Sequence, residues 1–220
     1  MKNYLIIGQG SQTIQLLREL FKLNTRPDQL TVLTLSALEN KSFIEFIKYY
    51  KINYTLTTKT KFDKDLEKIL KNKKDIVISI SNPFIIKSKY LSKSTFINFH
   101  PGLLPTYRGS FSTVHAMIDG SEKTGGTWHY ITAKVDKGNI LKSIEVPINN
   151  NSTAFSLNHA VYSIAIQELQ GVLENVELGN KGKKQPYNVG TFYLNSFPDL
   201  SKIEDEDLKN RINYFPPKFV

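Results

Sequence analysis

The sequence contains no cysteine, which excludes disulfides, thiolate nucleophiles and cysteine-ligated metal, and leaves any chemistry to oxygen and nitrogen groups. Long apolar runs are missing too. Nothing approaches the roughly 20 apolar residues that a membrane span needs, and Met1-Lys2-Asn3-Tyr4 leads into only a short apolar stretch before Gly8, too short for a signal-peptide core. A cytoplasmic location with no membrane partner is expected. Internal repeats and low-complexity stretches are absent as well. Acidic residues are in deficit, 20 against 29 basic ones, for a net charge of +9. Many of the lysines fall between Lys59 and Lys74 at spacings that suit the wet face of a helix, so no nucleic-acid partner is expected. A positive field also favours anionic small molecules.

What is present suffices for a sizeable core: 220 residues, 40% of them hydrophobic, fit one large α/β domain with a small appendage. Apolar runs at residues 4–7, 30–35, 75–80 and 95–99 predict strands, and helical spacing at 14–23, 43–50 and 62–70 fills the intervals. That alternation implies an α/β fold with a mostly parallel sheet flanked by helices. Such sheets place their working residues in loops just past the carboxyl ends of strands. Beyond residue 124 the pattern changes to two extended stretches, 127–135 and 140–146, separated by an expected turn at Asp136-Lys137-Gly138-Asn139. A long helix is predicted over 153–173, then a polar, glycine-containing linker at 179–185, a strand-like stretch at 187–194 and a short acidic-headed helix at 204–212. The chain accordingly divides into residues 1–178 and a C-terminal extension, 179–220.

Several stretches invite a chemical reading. Gly8-Gln9-Gly10-Ser11 ends the first strand and opens a helix, where backbone amides can hold an anion, yet Thr13 stands where a dinucleotide fingerprint wants its third glycine. A tight turn and a phosphate cradle are both open. More specific is Asn98-Phe99-His100-Pro101-Gly102-Leu103-Leu104-Pro105-Thr106-Tyr107-Arg108-Gly109, a loop stiffened by two prolines and two glycines immediately after a buried strand. Asn98 and His100 are two apart, so on an extended backbone their side chains share a face. An amide donor beside an imidazole suits acyl transfer: the amide can stabilise a developing oxyanion and the imidazole can move a proton near neutral pH. Asp136 sits in a turn, where aspartate is common for local reasons. A histidine acting as acid and base nevertheless needs a partner to set its tautomer, and a carboxylate is the usual one. His115 and His159, on expected helices, and His129, within a strand, show no metal-ligand spacing and read as structural or solvated.

The segment Asn98-Phe99-His100-Pro101-Gly102-Leu103-Leu104-Pro105 resembles the signature loop of the 10-formyltetrahydrofolate-dependent formyltransferases. Thr124-Gly125-Gly126-Thr127-Trp128-His129 through Asp136-Lys137-Gly138-Asn139-Ile140-Leu141 resembles their second motif, and together the two span about residues 96–141. The resemblance implies a Rossmann-like formyltransferase fold with residues 1–178 as the catalytic domain. It implies Asn98, His100 and Asp136 as catalytic residues, 10-formyltetrahydrofolate as co-substrate, no metal, and transfer of a formyl group to an amine through a tetrahedral intermediate. By the same similarity the pterin lies against Asn82, Pro83, Phe84, Ile85 and Val135, Leu104-Pro105 is a cis peptide, and the protein is a homodimer. Two positions depart from the pattern: Lys137 stands where a threonine is usual and Gly126 where valine is frequent.

The acceptor is read from length and tail. Relatives acting on initiator tRNA carry a further C-terminal domain, and hydrolases an extra N-terminal one, for which 220 residues leave no room. The stretch Asp207-Leu208-Lys209-Asn210-Arg211-Ile212-Asn213-Tyr214-Phe215-Pro216-Pro217 resembles the tail of sugar N-formyltransferases. That similarity implies a small-molecule acceptor, a nucleotide-linked amino-dideoxy sugar such as dTDP-4-amino-4,6-dideoxyglucose or its 3-amino analogue. Gly102, Arg108, Gly109, Ser110 and Phe111 would then lie near its channel, and Tyr187, Tyr193 or Tyr214 would be available to stack on a base, although each taken singly suits core packing. Two other readings stay open. One is phosphoribosylglycinamide formyltransferase of purine synthesis, whose glycine-rich start Gly8-Gln9-Gly10-Ser11 resembles. The other is a folate- or nucleotide-binding module without turnover.

Overall fold

In the computed structural model, which describes residues 2–36, 41–186, 188–193 and 196–214, five parallel strands form the N-terminal half. They are β1 (Tyr4–Gly8), β2 (Leu30–Leu35), β3 (Asn53–Thr57), β4 (Ile76–Ile80) and β5 (Thr95–His100), and α1 (Gly10–Lys22), α2 (Lys41–Tyr49) and α3 (Phe62–Ile69) lie between them. Four of the strands coincide with the apolar runs. The fifth, β3, has no such run, because it is an edge strand paired to β2 alone with much of its surface in solvent.

The central strands are apolar throughout because both faces are covered. Ile6 and Ile78 pack with Leu16, Leu17 and Leu20 of α1 on one side, while Leu5, Ile7 and Val77 pack with Phe62 and Leu66 of α3 on the other.

After β5 the chain makes the cis peptide at Leu104-Pro105, then β6 (Tyr107–Gly109) and α4 (Ser112–Ile118). β7 (Lys123–Tyr130) and β8 (Ile140–Pro147) then extend the sheet antiparallel, giving the order β3-β2-β1-β4-β5-β7-β8. The expected strand at 127–135 is thus displaced towards the N-terminus. It starts earlier, across Gly125 and Gly126, because those glycines admit the Ile144 carbonyl and the Phe99 ring where side chains would collide. It stops at Tyr130, whose N–H is taken by the Asn139 carbonyl at 3.0 Å, closing residues 131–139 into a loop rather than the expected turn at 136–139.

The long helix expected over 153–173 is two, α5 (Ala154–Gln167) and α6 (Leu169–Glu177), meeting at Glu168. Thr153 caps the first of them by accepting from the Ser156 N–H. In the C-terminal extension, β9 (Thr191–Tyr193) pairs in parallel with β6, and α7 (Glu206–Asn213) starts at Asp205, whose carboxylate accepts from the Leu208 N–H. The strand-like stretch at 187–194 therefore shrinks to three residues, and Tyr187 and Leu194 lie outside the described residues. Among the described residues no helix is long and apolar enough to cross a membrane.

Candidate active site

β1 and β4 are neighbours whose connections run to opposite sides of the sheet, and at such a switch point the loops beyond the strand ends diverge and leave a crevice. A cleft of about 710 Å³ opens there, bounded by Gln9 and Gln12 after β1, by residues 81–86 after β4, by the end of β5 and by the loop at 131–136.

Asn98 and His100 both reach this cleft from β5, as their spacing of two requires. The antiparallel register sets Asn98 opposite His129 of β7, so the two side chains meet on one face, with Asn98 Nδ2 3.1 Å from His129 Nε2. Asp136 arrives from the far loop. Its backbone is left-handed, φ +52°, and Gly138 lets the loop turn back, since a Cβ there would sit 1.6 Å from the Tyr130 carbonyl oxygen. The carboxylate lies 3.5 Å from His100 Nδ1 and 3.6 Å from His129 Nε2, and it accepts the Gly109 N–H at 2.9 Å. Three side chains expected from the sequence thus share one cleft.

Partners fix the tautomers of both imidazoles. His129 Nδ1 is 2.8 Å from the Tyr130 carbonyl, which can only accept, so Nδ1 carries the proton and Nε2 accepts from Asn98. Burial, opposed by Asp136 and helped by His100, lowers the His129 pKa to about 4, so the ring is neutral at physiological pH. His100 Nε2 is 2.6 Å from the Tyr107 carbonyl and therefore donates to it, which leaves Nδ1, the atom facing Asp136, free to take up a proton. Gly102 packs behind this ring, where a Cβ would come within 2.6 Å of His100 Nε2.

The other expected residues divide. Asn82, Pro83, Phe84, Ile85 and Val135 line the cleft, as do Gly109, Ser110, Phe111 and Tyr193. Asn82 is held in a local turn, accepting from the Phe84 N–H and donating to the Phe84 carbonyl. Gly102 and Arg108 do not line it. Arg108 is 2% exposed, and its guanidinium donates to Gln185 Oε1 and the Val189 carbonyl, so it is engaged within the protein. Tyr193 stacks on His115 with ring centroids 3.5 Å apart, which occupies one of its faces. His159 is exposed on α5, while His129, expected to be structural or solvated, stands in the middle of the site. His129 closes the first part of the second motif, but its place opposite Asn98 shows only in the β5–β7 register. Gln9, from the glycine-containing turn after β1, joins Gln12, Ser81, Asn158 and Tyr162, which no motif announced, in a wall of carboxamides and hydroxyls. Among the described residues no group of three or more metal-ligating side chains is arranged to hold an ion.

Residues 7–173 match the family model described as formyl transferase. The chain belongs to the formyl transferase family. Within that family it is 30% identical over 151 residues to the GDP-perosamine N-formyltransferase of Brucella melitensis biotype 1, a match that takes in 65% of this chain and 58% of the relative. The chain thus matches little more than half the length of that relative. Among solved structures of the same fold, the sugar 3N-formyl transferase WlaRD, determined in the presence of dTDP and 5-N-formyl-THF, superposes with a TM-score of 0.76 at 21% identity, covering 91% of this chain and 72% of that one. A 4-N formyltransferase from Francisella tularensis gives 0.74 at 21% identity, covering 98% and 89%. These neighbours share the mostly parallel seven-stranded sheet flanked by helices.

Proposed function

We propose that this chain is an N-formyltransferase that moves the formyl group of 10-formyltetrahydrofolate onto the amine of a nucleotide-linked amino-dideoxy sugar. The observation that carries this reading is the convergence of Asn98, His100 and Asp136, with the carboxylate 3.5 Å from His100 Nδ1, at the wall of one cleft.

The folate supplies an activated formyl carbon. As an amine attacks it, negative charge grows on the formyl oxygen, and an amide proton of Asn98 stabilises that charge; its orientation is set because the other amide proton points to neutral His129. The attacking amine must lose a proton, and His100 Nδ1 is placed to take it. Asp136 stabilises the imidazolium so formed, and the proton then passes to the departing folate nitrogen. On this reading the folate ring lies against the backbone of residues 82–85 and 131–135, and the acceptor approaches past Gly109, Ser110, Phe111 and Tyr193.

Sugar as the acceptor class is supported by the neutral wall of Gln9, Gln12, Ser81, Asn158 and Tyr162, whose donors and acceptors match hydroxyl groups. A relative named for GDP-perosamine, and fold neighbours named as a sugar 3N-formyl transferase and a 4-N formyltransferase, point the same way. The deciding assay follows tetrahydrofolate release from 10-formyltetrahydrofolate with a panel of GDP-, dTDP- and UDP-linked 3-amino and 4-amino sugars and with glycinamide ribonucleotide. Formylation of one or more nucleotide sugars is expected. Turnover only with glycinamide ribonucleotide would move the chain to purine synthesis, and release without any amine would make it a hydrolase.

A further inference from the structure

Residues 179–185 have the composition of a polar linker, but the last of them, Gln185, is buried at 8% exposure. Its amide nitrogen serves the turn that carries Asp136, and its amide oxygen ties it to β6. Its Nε2 donates to the Asp136 carbonyl at 2.9 Å and to the Gly138 carbonyl at 2.7 Å, and its Oε1 accepts from Arg108 Nη2 at 2.9 Å. Arg108 in turn donates through Nη1 to the Val189 carbonyl. The next residue of β6, Gly109, donates its N–H to the Asp136 carboxylate.

The turn is therefore gripped from two sides. Gly109 fixes the side-chain head, and Gln185 fixes the backbone that aims it, with both grips anchored on neighbouring residues of β6. Such a device has work to do here. At φ +52° the Asp136 backbone is in the left-handed region, which aspartate tolerates better than most residues but which still carries a cost that bonds to the turn offset. The carbonyls of Asp136 and Gly138 also need donors away from water.

We propose that Gln185 is a positioning residue that keeps the Asp136 carboxylate against His100, so that the C-terminal extension takes part in the reaction without touching substrate. The proposal rests on the formyl-transfer reading for its kinetic consequence and on geometry alone for the rest.

The test uses the full chain carrying Gln185→Ala or Gln185→Glu, with two readouts. Glutamate keeps the acceptor for Arg108 and the side-chain volume but removes both N–H donors, so it separates positioning from packing. The first readout is hydrogen exchange at the Gly109 amide, which needs no substrate. Exchange should accelerate at least tenfold in both variants while amides of β1 and β4 stay protected. The second is steady-state kinetics, where kcat should fall about tenfold or more with KM for both substrates within about twofold. Unchanged Gly109 protection in the glutamate variant, or lost protection with normal kcat, overturns the proposal. If the alanine variant does not fold, the glutamate variant decides on the same criteria, and if neither folds Gln185 is a stability residue and the proposal is overturned. A wild-type protein that formylates no amine defeats the reading of the function, and the exchange readout still judges the grip on Asp136.

Discussion

Three side chains from two segments, β5 and the loop at 131–139, carry the proposed chemistry, and each makes a separable prediction. Asn98→Ala removes an oxyanion donor and should lower kcat by about a hundredfold or more, since single donors of this kind typically contribute that much. His100→Ala should do the same by removing the proton acceptor, and Asp136→Asn should lower kcat strongly while leaving folate affinity nearly intact. Near-normal turnover in any of the three, measured with the acceptor that the wild-type protein uses, removes that residue from the mechanism. His129 makes a different prediction. Its folded pKa of about 4 lies below the ordinary histidine value near 6.5, mainly through burial, so between these limits the unfolded chain binds a proton that the folded chain does not. Stability is therefore full above about pH 6.5 and declines as pH falls towards 4, by roughly one kcal/mol per pH unit from this group. Urea unfolding across that range in the wild type and in His129→Gln should show the slope flatten in the variant; parallel slopes would mean that the ring is not held neutral. Asn98 and His100 were legible because a spacing of two on a strand guarantees a shared face. His129 was not, because its meaning depends on which strand lies beside it and in what register.

Elements were legible in proportion to their burial. Strands covered on both faces betray themselves as apolar runs, which is why β1, β2, β4 and β5 could be read directly, whereas the edge strand β3 and the three-residue β6 carry no comparable pattern and β9 was read only as part of a longer stretch. Helix continuity was misread at Glu168, where apolar periodicity passes through a residue whose backbone, ψ −1°, interrupts the helix. β7 was misplaced for a more instructive reason. Gly125 and Gly126 look like strand breakers, yet they are what allow β7 to sit against β8 and against the cluster of Phe99, Trp128 and Tyr162. A Cβ on Gly126 would come within 2.3 Å of the Phe99 ring, so the ring fills the room that a valine would use in relatives with a larger residue at this position. Gly126→Ala should therefore overpack the core by about 1–3 kcal/mol, which in a domain of this size lowers Tm by roughly 2–4 °C per kcal/mol. Combining it with Phe99→Leu should recover part of the loss. A single variant as stable as the wild type, by calorimetry, would show that Phe99 can move aside.

At the scale of the whole molecule, the division into a domain and an extension understates how far the C-terminal residues are built into the rest. Gln185 reaches the Asp136 turn, β9 pairs with β6, and α7 returns to the main core. The tail whose resemblance pointed to sugar N-formyltransferases enters that core through Ile212, which is 2% exposed, while Arg211 Nη1 donates to the Ser152 carbonyl just before α5. These two residues thus bind helix to helix, and nothing in their placement contacts the cleft. A family-specific tail can mark an acceptor class without touching the acceptor, because a tail docked on α4 and α5 fixes the helix that brings Asn158 and Tyr162 to the cleft wall. Truncating Ile212 to alanine deletes a buried side chain and should cost about 2–5 kcal/mol. Its kinetic signature should differ from that of Asn98 or His100: a lower urea midpoint, and at temperatures well below the melt a kcat close to the wild-type value, because the reacting groups stand on β5 and the 131–139 loop rather than on α7. A large loss of kcat in a fully folded Ile212→Ala protein would place the tail inside the reaction and contradict its reading as a dock for α5.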